Sequence, residues 1–183
     1  MGYFAVIDTE TNWSDQVMSI GTIIADSETF GMVSARYHIL TPEYLVGGMF
    51  SSTLFDESRL RPIICSRKKA VSDLIALFAK YNVRAIFAYN ANFDRTHLPE
   101  FRNMAWYDIM RLAAYRQYNP MIPADADCCK TGRLRRGFGV EPMLRLLSGD
   151  TFYHETHNAV YDAIDELQIM KLLGHPLSAY FPL

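Results

Sequence analysis

Residues 3–7, about 17–25 and about 32–40 are three runs rich in Ile, Val, Tyr and Phe, separated by short polar turns such as ADSETFG. Such runs favour strands, and connections this short join antiparallel neighbours, because parallel pairing needs a long crossover. The chain therefore opens with a three-stranded antiparallel sheet. The first strand ends on an anomaly: FAVIDTETN, residues 4–12, sets Asp8 and Glu10 two positions apart. Side chains at i and i+2 of a strand project from one face, so the two carboxylates lie side by side. Like charges that close are costly unless a cation lies between them or one is protonated. Either a hard cation such as Mg²⁺ or Mn²⁺ sits there, or the pair is solvated at a sheet edge.

A helical crossover follows. RKKAVSDLIALFAKY (67–81) puts Val71, Leu74, Ile75 and Phe78 at helical spacing, and RAIFAYN (84–90) is a short apolar run suited to a buried strand. A strand reached through a helix pairs in parallel. Residues 41–66, with Pro42, Gly47, Gly48 and Pro62, read as an irregular excursion. WYDIMRLAAY (106–115) and VEPMLRLL (140–147) read as helical at least in part. From about 158 to 173, Val160, Ala163, Ile164, Leu167 and Met170 share one side of a helix that Gly174 and Pro176 stop. This order predicts an α/β fold with a mixed sheet flanked by helices. The 183 residues suit a single domain with a full core, and no internal repeat or linker divides them.

Composition narrows the function classes. No run approaches the roughly 18 apolar residues of a membrane span. The first residues enter a strand pattern directly, so no secretory signal is expected. Three cysteines, of which Cys128 and Cys129 are adjacent, make no disulfide framework and lack the usual spacing of zinc ligands. A reducing, cytoplasmic setting is the expectation. A formal net charge of −2 excludes a bulk polycation. It leaves room for a protein that grips phosphate through divalent metal, since such a protein carries acids as ligands.

Two further acids are out of place. AYNANFD delivers Asp94 just beyond the buried strand, where site residues of open α/β sheets collect. HNAVYDAIDE opens the last helix with His157 and sets Asp162 beside the buried stripe, while Asp165 and Glu166 read as solvated. Taken singly, Asp94 is also a turn-former after Asn92, and Asp162 an acid near a helix N-terminus. Taken together, four acids from three distant segments supply what a two-metal site requires. Positions 157 and 162 would stand about 140° apart on a continuous helix. His157 is therefore expected before the regular helix, on a loop able to move toward substrate.

VIDTET, NANFD and HNAVYD, in that order, resemble the three motifs of the DEDD superfamily of 3′→5′ exonucleases, which adopt a ribonuclease-H-like fold. The third motif is similar to that of the histidine (DEDDh) subgroup, with His five positions before the Asp rather than Tyr four before. That subgroup includes polymerase proofreading subunits, oligoribonuclease and ribonuclease T. The resemblance covers roughly residues 3–174. It departs from the family at Asn12 and Trp13, where a small residue is common, and at Tyr89, where a His commonly opens the second motif. Neither departure falls on a metal ligand of the family pattern.

The resemblance implies two Mg²⁺ (or Mn²⁺) ions per site. Asp8 would bridge them, Glu10 and Asp162 would complete one, Asp94 would hold the other, and His157 would take a proton from the attacking water. The implied substrate is a single-stranded DNA or RNA 3′ end, released as mononucleotides. Single strands are held by aromatic stacking and cations, which makes Trp13 and Phe93 candidates. Thr11 belongs to the 11–13 stretch expected to meet the sugar. KTGRLRRG (130–137) offers Lys130, Arg133, Arg135 and Arg136 for phosphate, with Arg133 the candidate and a solvated face the alternative.

His38, His97, His154 and His175 read as structural. The apolar tail HPLSAYFPL either folds back on the core or meets a second subunit, and a homodimer or a polymerase partner stays open. Two rival readings remain: a catalytically silent nucleic-acid-binding or polymerase-associated module with the same fold, and a two-metal phosphoesterase acting on small phosphoesters.

Overall fold

A computed structural model describes residues 2–56 and 60–183. Six strands make one sheet: β1 (Tyr3–Thr11), β2 (Val17–Asp26), β3 (Met32–Leu40), β4 (Ile63–Cys65), β5 (Ala85–Ala88) and β6 (Ala105–Asp108), in spatial order β4-β3-β2-β1-β5-β6. The β1–β2 and β2–β3 pairs are antiparallel, as the short turns require, whereas β5 and β6 continue the sheet in parallel from β1. The helices are α1 (Arg67–Tyr81), α2 (Asn92–His97), α3 (Met110–Ala113), α4 (Val140–Ser148) and α5 (Ala159–Leu173).

Alternation along β1 divides the core between the two faces of the sheet. Ala5 and Ile7 join Ile20, Ile24, Leu40, Leu74 and Leu77 under α1, and Phe4 and Val6 join Met18, Ile23, Ile39, Val160 and Met170 under α5. Each fully buried aliphatic side chain contributes about 1.5–3 kcal/mol. The helix α1 begins at Ser66, whose hydroxyl accepts the Lys69 N–H, and ends at Asn82 in the left-handed conformation. Its buried stripe is Ala70, Leu74, Leu77 and Phe78, so Ile75, expected on the inner side, is 55% exposed.

One local reading is corrected, one is completed, and one left open is decided. The excursion over 41–66 contains strand β4, which pairs in parallel with β3, and two 3₁₀ turns at Glu43–Val46 and Ser51–Thr53; its residues 57–59 lie outside the described residues. WYDIMRLAAY is a strand before it is a helix. Its first residues pair with β5, and the Trp106 indole, fully buried, donates to the Phe101 carbonyl at 3.0 Å. The tail folds back: the Leu183 N–H donates to the Trp106 carbonyl at 2.9 Å, and Tyr180 is buried. No helix among the described residues is long and apolar enough to cross a membrane.

One glycine sets the depth at which α5 docks. Gly21 lies opposite Asp8 in the β1–β2 register, and a Cβ on it would fall 1.9 Å from the Ala159 carbonyl oxygen. Only a residue without a side chain lets the first turn of α5 rest on the backbone of β2.

Candidate metal centre

The end of β1 supplies the first two acids. Asp8 and Glu10 project toward α5, and a register shift between Glu10 and Thr11 ends the regular pairing there. Because α5 seats against Gly21, its first turn brings Asp162 to the same place. One carboxylate oxygen from each of Asp8, Glu10 and Asp162 lies within 4.8 Å of the others. Asp94 enters from the first turn of α2, just past β5, and its Oδ1 accepts the Thr9 hydroxyl at 2.8 Å. All four acids line one cleft of about 370 Å³. A larger groove of about 550 Å³ between α1 and the β5–β6 connection has Glu100 as its acid, already paired with Arg67 at 2.8 Å.

These carboxylates are held in a state that resists ionisation. Burial pushes Asp8 well above the usual carboxylate range, and the charges of Glu166, Asp94, Asp162 and Glu10 push it further. Glu10 rises to about 7 through burial and then Glu155 and Asp94. Asp94 also rises to about 7 through burial, against the Thr9 hydrogen bond. Asp162 rises to about 9 through burial, with Glu155 and Glu10 adding to it. Asp8 Oδ2 and Asp162 Oδ1 are buried and accept no hydrogen bond from any described residue. Orphaned, mutually repelling, all-oxygen donors fit a hard divalent cation: it satisfies the lone pairs and cancels the repulsion together.

His157 stands outside α5, as the angular argument requires. It has a left-handed φ of 55°, and Asn158 caps the helix, its side chain accepting the Val160 N–H. The imidazole lines the cleft, stacked on the Phe50 ring with centroids 4.2 Å apart, and its Nδ1 is 4.0 Å from Glu155 Oε2.

The expected gripping residues separate into two groups. Thr11, Trp13 and Phe93 line the cleft, and Trp13 is 69% exposed. Arg133 does not line it; its guanidinium lies 4.6 Å over the Phe138 ring, and Arg135 pairs with Asp127. That loop still reaches the cleft floor, because the Tyr89 hydroxyl donates to the Phe138 carbonyl. Asn12 has a structural use: its Oδ1 accepts the Ser14 and Gln16 N–H groups and so shapes the β1–β2 turn. Cys128 and Cys129 are free thiols.

The other histidines bond to structural partners, His38 to Asp73, His97 to Asp15 and the Phe93 carbonyl, His154 to Arg145, and His175 to the Tyr118 carbonyl.

Glu166 overturns an expectation. Read as solvated, it is 1% exposed, its Oε2 has no partner among the described residues, and it is the strongest charged influence on Asp8. Asp165 is half-buried and takes the Tyr153 hydroxyl. Helix α5 is covered by β1, β2 and α4, so its acids have less water around them than a one-stripe helix allows. The signal for Glu166 was its i+4 spacing from Asp162, which puts the two on one face. Glu155, Met49 and Phe50 also line the cleft and carry no periodic signal.

No family model and no curated protein matches the chain. Solved structures do. The nuclease domain of 3′hExo, a DEDDh family member bound to rAMP, is similar with a TM-score of 0.65 at 13% identity, over 99% of this chain and 96% of that one. Exonuclease X, in complex with 5′ overhanging duplex DNA, gives 0.52 at 19% identity over 92% and 90%. E. coli Exonuclease I, in complex with a dA16 oligonucleotide, gives 0.60 at 14% identity, and the match covers 98% of this chain but 42% of that one. The chain has the ribonuclease-H-like fold of the DEDD exonucleases.

Proposed function

We propose that the chain is a metal-dependent 3′→5′ exonuclease of the histidine DEDD type, hydrolysing phosphodiester bonds at single-stranded 3′ ends and releasing mononucleotides. The observation that carries the reading is the convergence of Asp8, Glu10 and Asp162 oxygens within 4.8 Å, with Asp94 and His157 on the same cleft. Neighbours of the same fold are described with rAMP or with DNA, which supports a nucleic-acid substrate.

In this reading Asp8, Glu10, Asp94 and Asp162 would hold Mg²⁺ or Mn²⁺, two ions per site. Bound divalent cations supply Lewis acidity to the attacking water and to the phosphate oxygens. The chain's own groups do the rest. His157, whose imidazole lines the cleft, accepts the proton of the attacking water. The Thr9 hydroxyl fixes the rotamer of Asp94. Trp13 and Phe93 present exposed rings at the cleft on which bases stack. The open cleft and these rings favour a polymer over a small phosphoester, and the presence of every acid and of the base counts against a silent module. Free thiols at Cys65, Cys128 and Cys129 support a reducing, cytoplasmic setting.

The test uses matched 5′-labelled single-stranded DNA and RNA in Mg²⁺, Mn²⁺ and EDTA, with Asp8→Ala alongside. A ladder shortening from the 3′ end, absent in EDTA and in the variant, is the expected result, and the faster substrate identifies the sugar. Intact substrate in both metals, with binding still visible by mobility shift, would replace this reading with the silent module.

A further inference from the structure

We propose that Phe50, with the 49–56 segment that carries it, is a positioning element for the His157 imidazole; the proposal rests on the exonuclease reading above. The segment is tied to the start of α5 at several points. The Thr53 hydroxyl lies within donating reach of both the Phe50 carbonyl, at 2.8 Å, and the His157 carbonyl. Asn158 Nδ2 donates to the Thr53 carbonyl at 2.7 Å and to the Tyr37 hydroxyl at 3.1 Å, and that hydroxyl donates to the Leu54 carbonyl at 2.8 Å. The Tyr161 hydroxyl reaches the Asp56 carbonyl.

The backbone of His157 is thus pinned in a left-handed conformation that a residue with a Cβ adopts at a cost. With the backbone pinned, the ring still turns about its side-chain torsions. Phe50 limits that turn: the two rings are 21° from coplanar at 4.2 Å. Glu155 stands near the Nδ1 edge at 4.0 Å, so one face and one edge of the cleft-lining ring each have a neighbour. An irregular excursion without catalytic residues of its own therefore has a use, which is to hold the base in place before substrate arrives.

A residue that holds the base acts on the rate and not on affinity. Phe50→Leu should lower kcat about tenfold, in line with the cost of a misplaced catalytic group, with substrate Kd changed less than about twofold. Phe50→Tyr should restore the rate. In a His157→Ala background, Phe50→Leu should have no further effect, because coupled residues are not additive. The imidazole proton signals that disappear in His157→Ala should lie upfield in the wild type through the Phe50 ring current and move downfield in Phe50→Leu. A raised Kd at unchanged kcat would make Phe50 a substrate-stacking residue and overturn the proposal. So would an equal rate loss in the His157→Ala background, or an unshifted imidazole. A wild-type chain inactive in both metals would overturn the exonuclease reading itself and the positioning role with it.

Discussion

The two faces of the sheet treat buried charge in opposite ways. Under α1 the buried His38 Nε2 meets Asp73 at 3.0 Å, with Arg36 nearby, so the Asp73 carboxylate has fixed complementary neighbours. Burial lowers the His38 pKa, and the Asp73 hydrogen bond works against that. Under α5, Asp8, Asp162 and Glu166 are buried among one another, and each keeps an oxygen with no partner among the described residues. A buried charge with a fixed partner is part of the architecture. Buried charges of one sign, held together without a counter-charge, are stable only when something from solution joins them.

The largest expected effect breaks the α5 face. Asp8→Asn should reduce cleavage at least about a thousandfold, the several kcal/mol that cation-assisted stabilisation supplies. The same change should leave the melting temperature in EDTA unchanged or higher. A fall in that temperature would mean that Asp8 has a structural partner, as His38 has.

The matching break on the other face is Asp73→Ala. It should cost about 1–3 kcal/mol of stability by stranding His38, while kcat stays at the wild-type value. Urea unfolding followed by a cleavage assay separates the two.

Next in size is a pH effect. Glu10 and Asp94 rise to about 7 and Asp162 to about 9 in the folded chain, through burial first. Unfolded, these groups titrate near 4. The folded state therefore binds more protons across the interval, so their contribution to stability is complete at low pH and is lost as pH rises through 7 and then 9. The melting temperature in EDTA should fall between pH 6 and pH 9, and millimolar Mg²⁺ should flatten the curve. A metal-free curve that is already flat would erase the contrast between the faces.

The smallest effect sharpens the comparison. Glu166→Gln removes one of the crowded charges from beneath Asp8 and should raise the metal-free melting temperature by a few degrees at pH 9, a change of order 1 kcal/mol. It should also weaken Mn²⁺ binding in calorimetry. A lowered melting temperature would make Glu166 a conventional core bond.

Much of this arrangement is legible in the chain because it is local. Asp8 and Glu10 share a face through strand geometry alone, and His157 is placed outside α5 by the angle to Asp162. The resemblance to the three exonuclease motifs joins Asp94 to them. What is not legible depends on contacts between distant segments. Glu166 sits off the apolar stripe, and only the coverage of α5 on several sides buries it. Strand β6 is hidden because WYDIMRLAAY is apolar enough for either period, and pairing with β5 decides it. Phe50 lies in a segment without periodicity, and its neighbour His157 is far away in sequence.

The seat of α5 on Gly21 has a consequence in time. Asp8 and Glu10 leave the ribosome well before Asp162 and His157 do. Until α5 settles into the notch in β2, the cleft has Asp8, Glu10 and Asp94 but neither Asp162 nor His157. On the proposed reading, a half-made chain beside its own messenger is inert towards it.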